Sequence, residues 1–311
     1  MTETTISAVK IVVLGPQRRP TLDSVVRNLD LDDGPVAVVT AGWQEREPDD
    51  AELDALVGGR GVNLSLHARW QDVLVKDPEY AAAELEHRAA LRELQELYLV
   101  QIDGTLRALR EVGRYGGSRA EIREAARADT EAAVRLVDER HLARVREARA
   151  EFEARWHPGE RLAAAGHRAE VRQVLDAAAA LVVAGGHVGV LLHVLRLFAV
   201  GAAPAVIAWS AGAMALTERV LLFHDRAPHG PAHAEFLDSG LGWIRGCVLL
   251  PHARRRLRTD DTARMAELAG RAAPARCVVL DDGLRLDLGE GGALPPGVRT
   301  IGPDGRIGDA A

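Results

Sequence analysis

Short apolar runs separated by amphipathic stretches alternate along the two outer parts of the chain. Val9 to Leu14, Pro35 to Thr40 and Val62 to His67 have the length and composition of strands, with helical patterns at Thr21 to Leu29 and Ala51 to Val57 between them. A second series begins with a helix over Ala169 to Ala177 and a strand over Leu181 to Val183 that ends in Gly185-Gly186-His187. A helix over Val188 to Phe198, a strand over Pro204 to Ile207 and a short helix over Met214 to Thr217 follow, and then apolar runs at Val220 to Phe223, Cys247 to Leu250 and Val278 to Leu280. Strands that alternate with helices in this way predict an α/β fold in which helices sandwich a parallel sheet.

Between the two series the period changes. From Pro78 to Trp156 the chain is rich in Ala, Glu, Arg and Leu, and Leu91, Leu94, Tyr98, Ile102, Leu106, Leu109 and Val112 recur at three- and four-residue spacings. Gly113 to Gly117 interrupts this helix, and Ser118 with Glu121 has the spacing of a capping box opening a second helix through Ile122, Ala126, Ala133, Val137, Val145 and Phe152. The expected organisation is a first part of the core at 1–74, an antiparallel helical hairpin at 75–160 and a second part of the core at 161–311, with Leu162 to Gly166 as a hinge. Two helices of about 35 residues would each reach roughly 50 Å. Such a hairpin buries its stripes against itself or leaves one free, and the free stripe is expected to form a homodimer arm or to dock a protein partner through residues 78–157.

Composition narrows the class. With 311 residues and 47% hydrophobic content, the chain can bury a sizeable core. Its 39 basic against 45 acidic side chains lack the positive surplus that a nucleic-acid backbone demands. No run is long enough for a membrane span and no leader pattern opens the chain, so a cytoplasmic location is expected. Cys247 and Cys277 lie in apolar runs without metal or redox spacing and read as buried thiols. His224, His229 and His233 cluster locally, but Gly230 and Pro231 break any helical pairing of the last two, so a loop beside the site is expected rather than a metal centre. Neither a metal nor a cofactor is called for.

The stretch that carries chemistry is Ala208-Trp209-Ser210-Ala211-Gly212-Ala213, placed between a strand and a helix. A serine on a tight strand-to-helix turn projects its hydroxyl from the sheet edge, and small neighbours allow the turn. A capping serine in an ordinary turn has the same letters. The glycine pair at 185–186 strengthens the catalytic reading, because the Gly186 amide, with that of Ala211, is suited to a developing oxyanion. His252, at the end of an apolar run, is the expected base. Asp225, which closes Val220 to Phe223, is favoured as the acid over Asp282, which sits in the turn Asp281-Asp282-Gly283. His187, Trp209 and Arg254 are candidate substrate contacts, the last within Arg254-Arg255-Arg256-Leu257-Arg258, a run that otherwise reads as a solvated helix face. Gly42 and Trp43, at the second strand's end, are expected either to line the same site or to sit in a loop packed for structural reasons.

Together, Ala184-Gly185-Gly186-His187-Val188 with Leu191-Leu192 after it, the Ala208 to Ala213 elbow, Cys247 to His252 and Val278 to Gly283 resemble the peptidase E and cyanophycinase family of serine peptidases over roughly residues 8–72 and 168–305. The resemblance implies a flavodoxin-like, class I glutamine-amidotransferase-like core and a triad of Ser210, His252 and Asp225. It also implies an acyl-enzyme formed from a small peptide or amide. His187-Val188 departs from the family's Asn-Thr near where substrate is held, which leaves aspartyl-peptide specificity open. The helical hairpin has no counterpart in the family's common core. A catalytically silent scaffold is the alternative. An α/β-hydrolase ranks third, since about fifteen residues between nucleophile and acid is too short for that fold.

Overall fold

A computed structural model describes residues 9–18, 20–225 and 233–309. The chain opens with strand β1 (Lys10–Leu14), helix α1 (Leu22–Asn28), β2 (Val36–Val39), α2 (Ala51–Leu56) and β3 (Gly61–Asn63). Four helices follow: α3 (Leu66–Lys76), α4 (Pro78–Arg114), α5 (Ala120–Trp156) and α6 (Leu162–Ala177). The chain then continues through β4 (Ala180–Val183), α7 (Val188–Leu197), β5 (Ala205–Trp209), α8 (Ala211–Leu216), β6 (Arg219–Leu222) and β7 (Glu235–Ser239). The last elements are β8 (Cys247–Pro251), α9 (Ala253–Arg256), α10 (Thr262–Ala272), β9 (Arg276–Leu280), β10 (Arg285–Asp287), β11 (Arg299–Ile301) and β12 (Ile307–Asp309).

The main sheet has the order β10-β1-β5-β4-β2-β3, with β1, β5, β4, β2 and β3 mutually parallel and β10 antiparallel to β1. The protein is thus a mixed α/β molecule with a parallel sheet and a long helical region. β2, β4 and β5 are buried along their whole length, which explains why they read as unbroken apolar runs rather than alternating ones. Strand order reverses beside β2, since β3 lies on one side of it and β4 on the other. Crevices of open parallel sheets form outside the carboxyl ends of strands at such a point. A second sheet, β12-β11-β9-β8, contains a parallel β8–β9 pair in which Pro251 faces Leu280, and β6 with β7 forms an antiparallel ribbon.

The helical stretch is two helices of 37 residues each that pack against one another. Tyr98, Ile102, Leu106 and Val134 form a small apolar core between them, whereas Tyr80 and Leu142 join the main core. The hairpin is docked along much of its length, not free. The Tyr98 hydroxyl accepts from the Phe236 amide of β7 at 3.1 Å and donates to Asp138 at 2.7 Å. Arg271 of α10 holds both Asp138 oxygens at 2.9 Å. Further along, Asp238 of β7, its side chain only 3% exposed, takes Arg196 at 2.9 Å and Arg149 at 2.6 Å.

Several local expectations are corrected. The third strand stops at Asn63, and α3 begins at Leu66 where the apolar pattern seemed to continue as strand to His67. α5 starts at Ala120 with Arg119 at its cap and no side-chain capping bond, so Ser118 and Glu121 do not close a capping box. Gly113 lies inside α4, and Leu162 to Gly166, expected as a hinge, is the first part of α6. Among the described residues, no helix is long and apolar enough to cross a membrane.

Candidate active site

The parallel pairing of β1, β5, β4 and β2 brings the segments that follow them to one edge. Pro16 and Gln17 after β1, Ser210 after β5, Gly185 and Gly186 after β4, and Trp43 after β2 line one cavity of about 740 Å³. His187, Trp209, Ala211, His252 and Arg256 line it too. Sequence reasoning anticipated Ser210, His252, Gly186, Ala211, His187, Trp209 and Trp43 as neighbours of one site, and the fold gathers all of them. It did not anticipate Pro16, Gln17 and Arg18, although Gly15-Pro16 closes an apolar strand in the same manner as the glycine pair. Nor did it anticipate Leu237, whose strand is too short and polar to be recognised from its pattern.

Ser210 has φ 49° and ψ −124°, a conformation that L residues seldom adopt. A strained nucleophile at a strand-to-helix turn has this signature. The turn is tight because a side chain is missing at two places. A Cβ on Gly212 would lie 2.3 Å from the Val183 carbonyl oxygen, and one on Gly186, at φ 120°, would lie 2.3 Å from the Gly42 oxygen. The Gly42 oxygen instead accepts from the His187 amide at 2.8 Å, which joins the β2 and β4 loops. The Gly186 and Ala211 amides form no hydrogen bond among the described residues, so both remain available to a ligand. His187 caps α7, its Nδ1 accepting from the Val190 amide at 3.2 Å. It performs the task usually given to Asn, Ser or Asp, and this makes the His187-Val188 departure compatible with an intact helix start.

His252 follows β8 with a left-handed backbone, φ 57° and ψ 33°. Its amide donates to the Leu280 oxygen at 3.0 Å, so the carboxyl ends of β8 and β9 lie side by side. That register sets His252 next to Asp281 and Asp282. Its Nδ1 is buried without a hydrogen-bond partner and lies 3.9 Å from Asp282 Oδ1. No hydrogen bond joins Ser210 to His252. Catalytic bonds are often long before a substrate is bound, and a shift of about 1 Å would close the one to Asp282. Burial pushes His252 below the ordinary 6.5 of an imidazole, Arg256 lowers it further, and Asp282 acts in the opposite direction. The net effect favours the neutral ring, the form a general base requires.

Asp225 is placed differently from the sequence-based expectation. Its side chain is 2% exposed and is taken up by Arg264 at 2.5 Å and by the Arg258 amide at 3.0 Å, with no bond to His252. The carboxylate facing His252 is Asp282. Arg254 is likewise drawn away: its Nε pairs with Asp281 at 3.3 Å, and its side chain is 67% exposed. From the same basic run it is Arg256 that lines the cavity, together with Arg18 of the β1 loop. Cys247 and Cys277 are buried, and burial pushes both thiols up to about 12, so neither supplies a thiolate. His233 is buried and close to its own chain, with Nδ1 3.3 Å from the Ala234 oxygen, while His229 of the suspected cluster lies outside the described residues. No protein-family model matches the chain, and no curated protein matches it.

Proposed function

We propose that this protein is a serine hydrolase acting on small peptides or amides, built on a flavodoxin-like, class I glutamine-amidotransferase-like core of the peptidase E kind. The observation that carries the reading is Ser210, held at positive φ on a strand-to-helix turn, lining the same cavity as a neutral His252. In this mechanism His252 takes the Ser210 proton as Oγ attacks the carbonyl carbon. The oxyanion is received by the Gly186 and Ala211 amides, and Asp282 holds the imidazolium. Collapse breaks the C–N bond, the amine leaves with the proton from His252, and water then releases the acyl group by the reverse sequence. Arg256 and Arg18 give the cavity a positive wall suited to a substrate carboxylate.

Labelling with a fluorophosphonate probe tests this directly. Wild type is expected to label stoichiometrically, and Ser210→Ala and His252→Ala not at all; a folded wild type that does not label would overturn the assignment. The acid is tested by a pair of variants. Asp282→Asn should slow labelling by about 10²-fold, whereas Asp225→Asn, by weakening the Arg264 bond, should lower the melting temperature and leave the labelling rate of the folded protein unchanged. The reverse pattern would restore Asp225 to the triad.

The second reading is a silent scaffold that binds a partner through the hairpin. Leu85, Leu97 and Val100 of α4, at 69%, 54% and 73% exposure, are the observation in its favour. Absence of labelling would move the weight to it.

A further inference from the structure

Beside the Ser210 cavity lies a second chamber of about 410 Å³, within the size range of small-molecule sites. The two share Gln17, Trp43, Gly186 and Trp209 in their linings, so they adjoin at the glycine proposed to receive the oxyanion. Its lining differs in kind. Leu22 and Leu53 are buried in the core cluster on this side of the sheet, and Trp43 and Leu56 pack against that cluster. Charge is confined to Arg46, Asp49 and Glu52, of which Arg46 and Asp49 are 79% and 60% exposed and pair with each other at 3.1 Å. Arg46 and Asp49 thus offset one another at the rim, and Leu22, Leu53, Leu56, Trp43 and Trp209 give the lining its apolar part. The Ser210 cavity, by contrast, carries Arg256 and Arg18.

The geometry points to the chamber walled by Trp43, Trp209, Leu53 and Leu56 as a specificity pocket for an aromatic or large aliphatic group on the residue adjoining the reacting carbonyl. This rests on the hydrolase reading for the word "reacting", but the pocket itself is independent of catalysis. A carbonyl placed at Ser210 and Gly186 lies beside residues that line both cavities, and an apolar group entering the chamber exchanges water contact for Trp43, Trp209, Leu53 and Leu56. A negatively charged group would meet only Arg46, already paired with Asp49, and lose its hydration. The substrate class narrows to amides or short peptides that carry one large apolar side chain beside the bond and a carboxylate directed toward Arg256.

Binding to Ser210→Ala, which needs no turnover, tests the pocket. N-acetyl-phenylalanine amide, N-acetyl-leucine amide and N-acetyl-alanine amide are titrated by ligand-observed NMR. The phenylalanine amide is expected to bind about tenfold or more tightly than the alanine amide. Leu56→Glu, in the same background, should abolish that preference, and Leu56→Met should retain it. Equal affinity for the three amides, or binding of none, would overturn the pocket, as would a preference that survives Leu56→Glu in a folded protein. A phenylalanine preference without fluorophosphonate labelling of the wild type would remove the hydrolase reading and leave the pocket standing as a binding site.

Discussion

Replacing His252 with asparagine is expected to lower turnover about 10⁶-fold, the loss seen when a base is removed from a triad that works as a unit. Asparagine is the appropriate substitute because His252 occupies the left-handed region, φ 57°, which asparagine tolerates better than alanine. The pH profile of the wild type supplies the sign. A base works only when neutral, so activity must rise with pH through the His252 value and then level off. Burial, followed by Arg256, holds that value below 6.5, so the acidic limb is expected below the pH of an ordinary imidazole. Arg256→Gln removes one of the lowering charges and should move the limb upward, a shift that a merely structural arginine would not produce. A limb above pH 6.5 in the wild type, or one unmoved in Arg256→Gln, would count against His252 as the base.

The second large effect concerns the hairpin. Asp138→Ala is expected to destabilise the protein by about 3–5 kcal/mol, measured by urea unfolding, because it strands the Arg271 guanidinium in the interior. Both side chains are only 3% exposed. Burial opposes the Arg271 charge, yet its bonds to Asp138 raise its pKa above the ordinary value, so the pair is charged and mutually dependent. Arg271 also donates to the Ala234 oxygen at 2.6 Å and to the Tyr98 hydroxyl at 3.0 Å, so the loss reaches α4, α10 and the start of β7 together. Replacing Asp138 and Arg271 together with leucine and methionine should recover much of the stability, since no unpaired charge then remains. An Asp138→Ala protein as stable as wild type would mean that the hairpin is held by its apolar contacts alone.

That network also ties the hairpin to the strand beside the cavity. Its length and stripe suggested an arm reaching away from the core. In the structure, α4 and α5 grip β7 through Gln95 on Glu235, Tyr98 on the Phe236 amide and Arg149 on Asp238, and Leu237 between them lines the Ser210 cavity. The hairpin therefore braces the strand that supplies Leu237 to the wall of the candidate site.

The sequence by itself determined the alternating α/β pattern, the two long helices and the strand-to-helix turn at Ser210. Each of these depends on neighbours within a few residues: unbroken apolar runs for strands buried on both faces, three- and four-residue spacing for helices, and small residues where the backbone turns sharply. Tertiary structure alone decided which carboxylate stands by His252 and which arginine enters the cavity. Asp225 and Asp282 both follow apolar runs, and the local cue that favoured Asp225, the turn around Asp282, does not report what each carboxylate meets; Arg264, 39 positions from Asp225, binds the first, and the β8–β9 register presents the second. Arg254 and Arg256 are two residues apart on one short helix, and Asp281 on the neighbouring strand end engages the former. Charges compete for partners through space, and a chain read residue by residue does not contain the distances that settle such a competition.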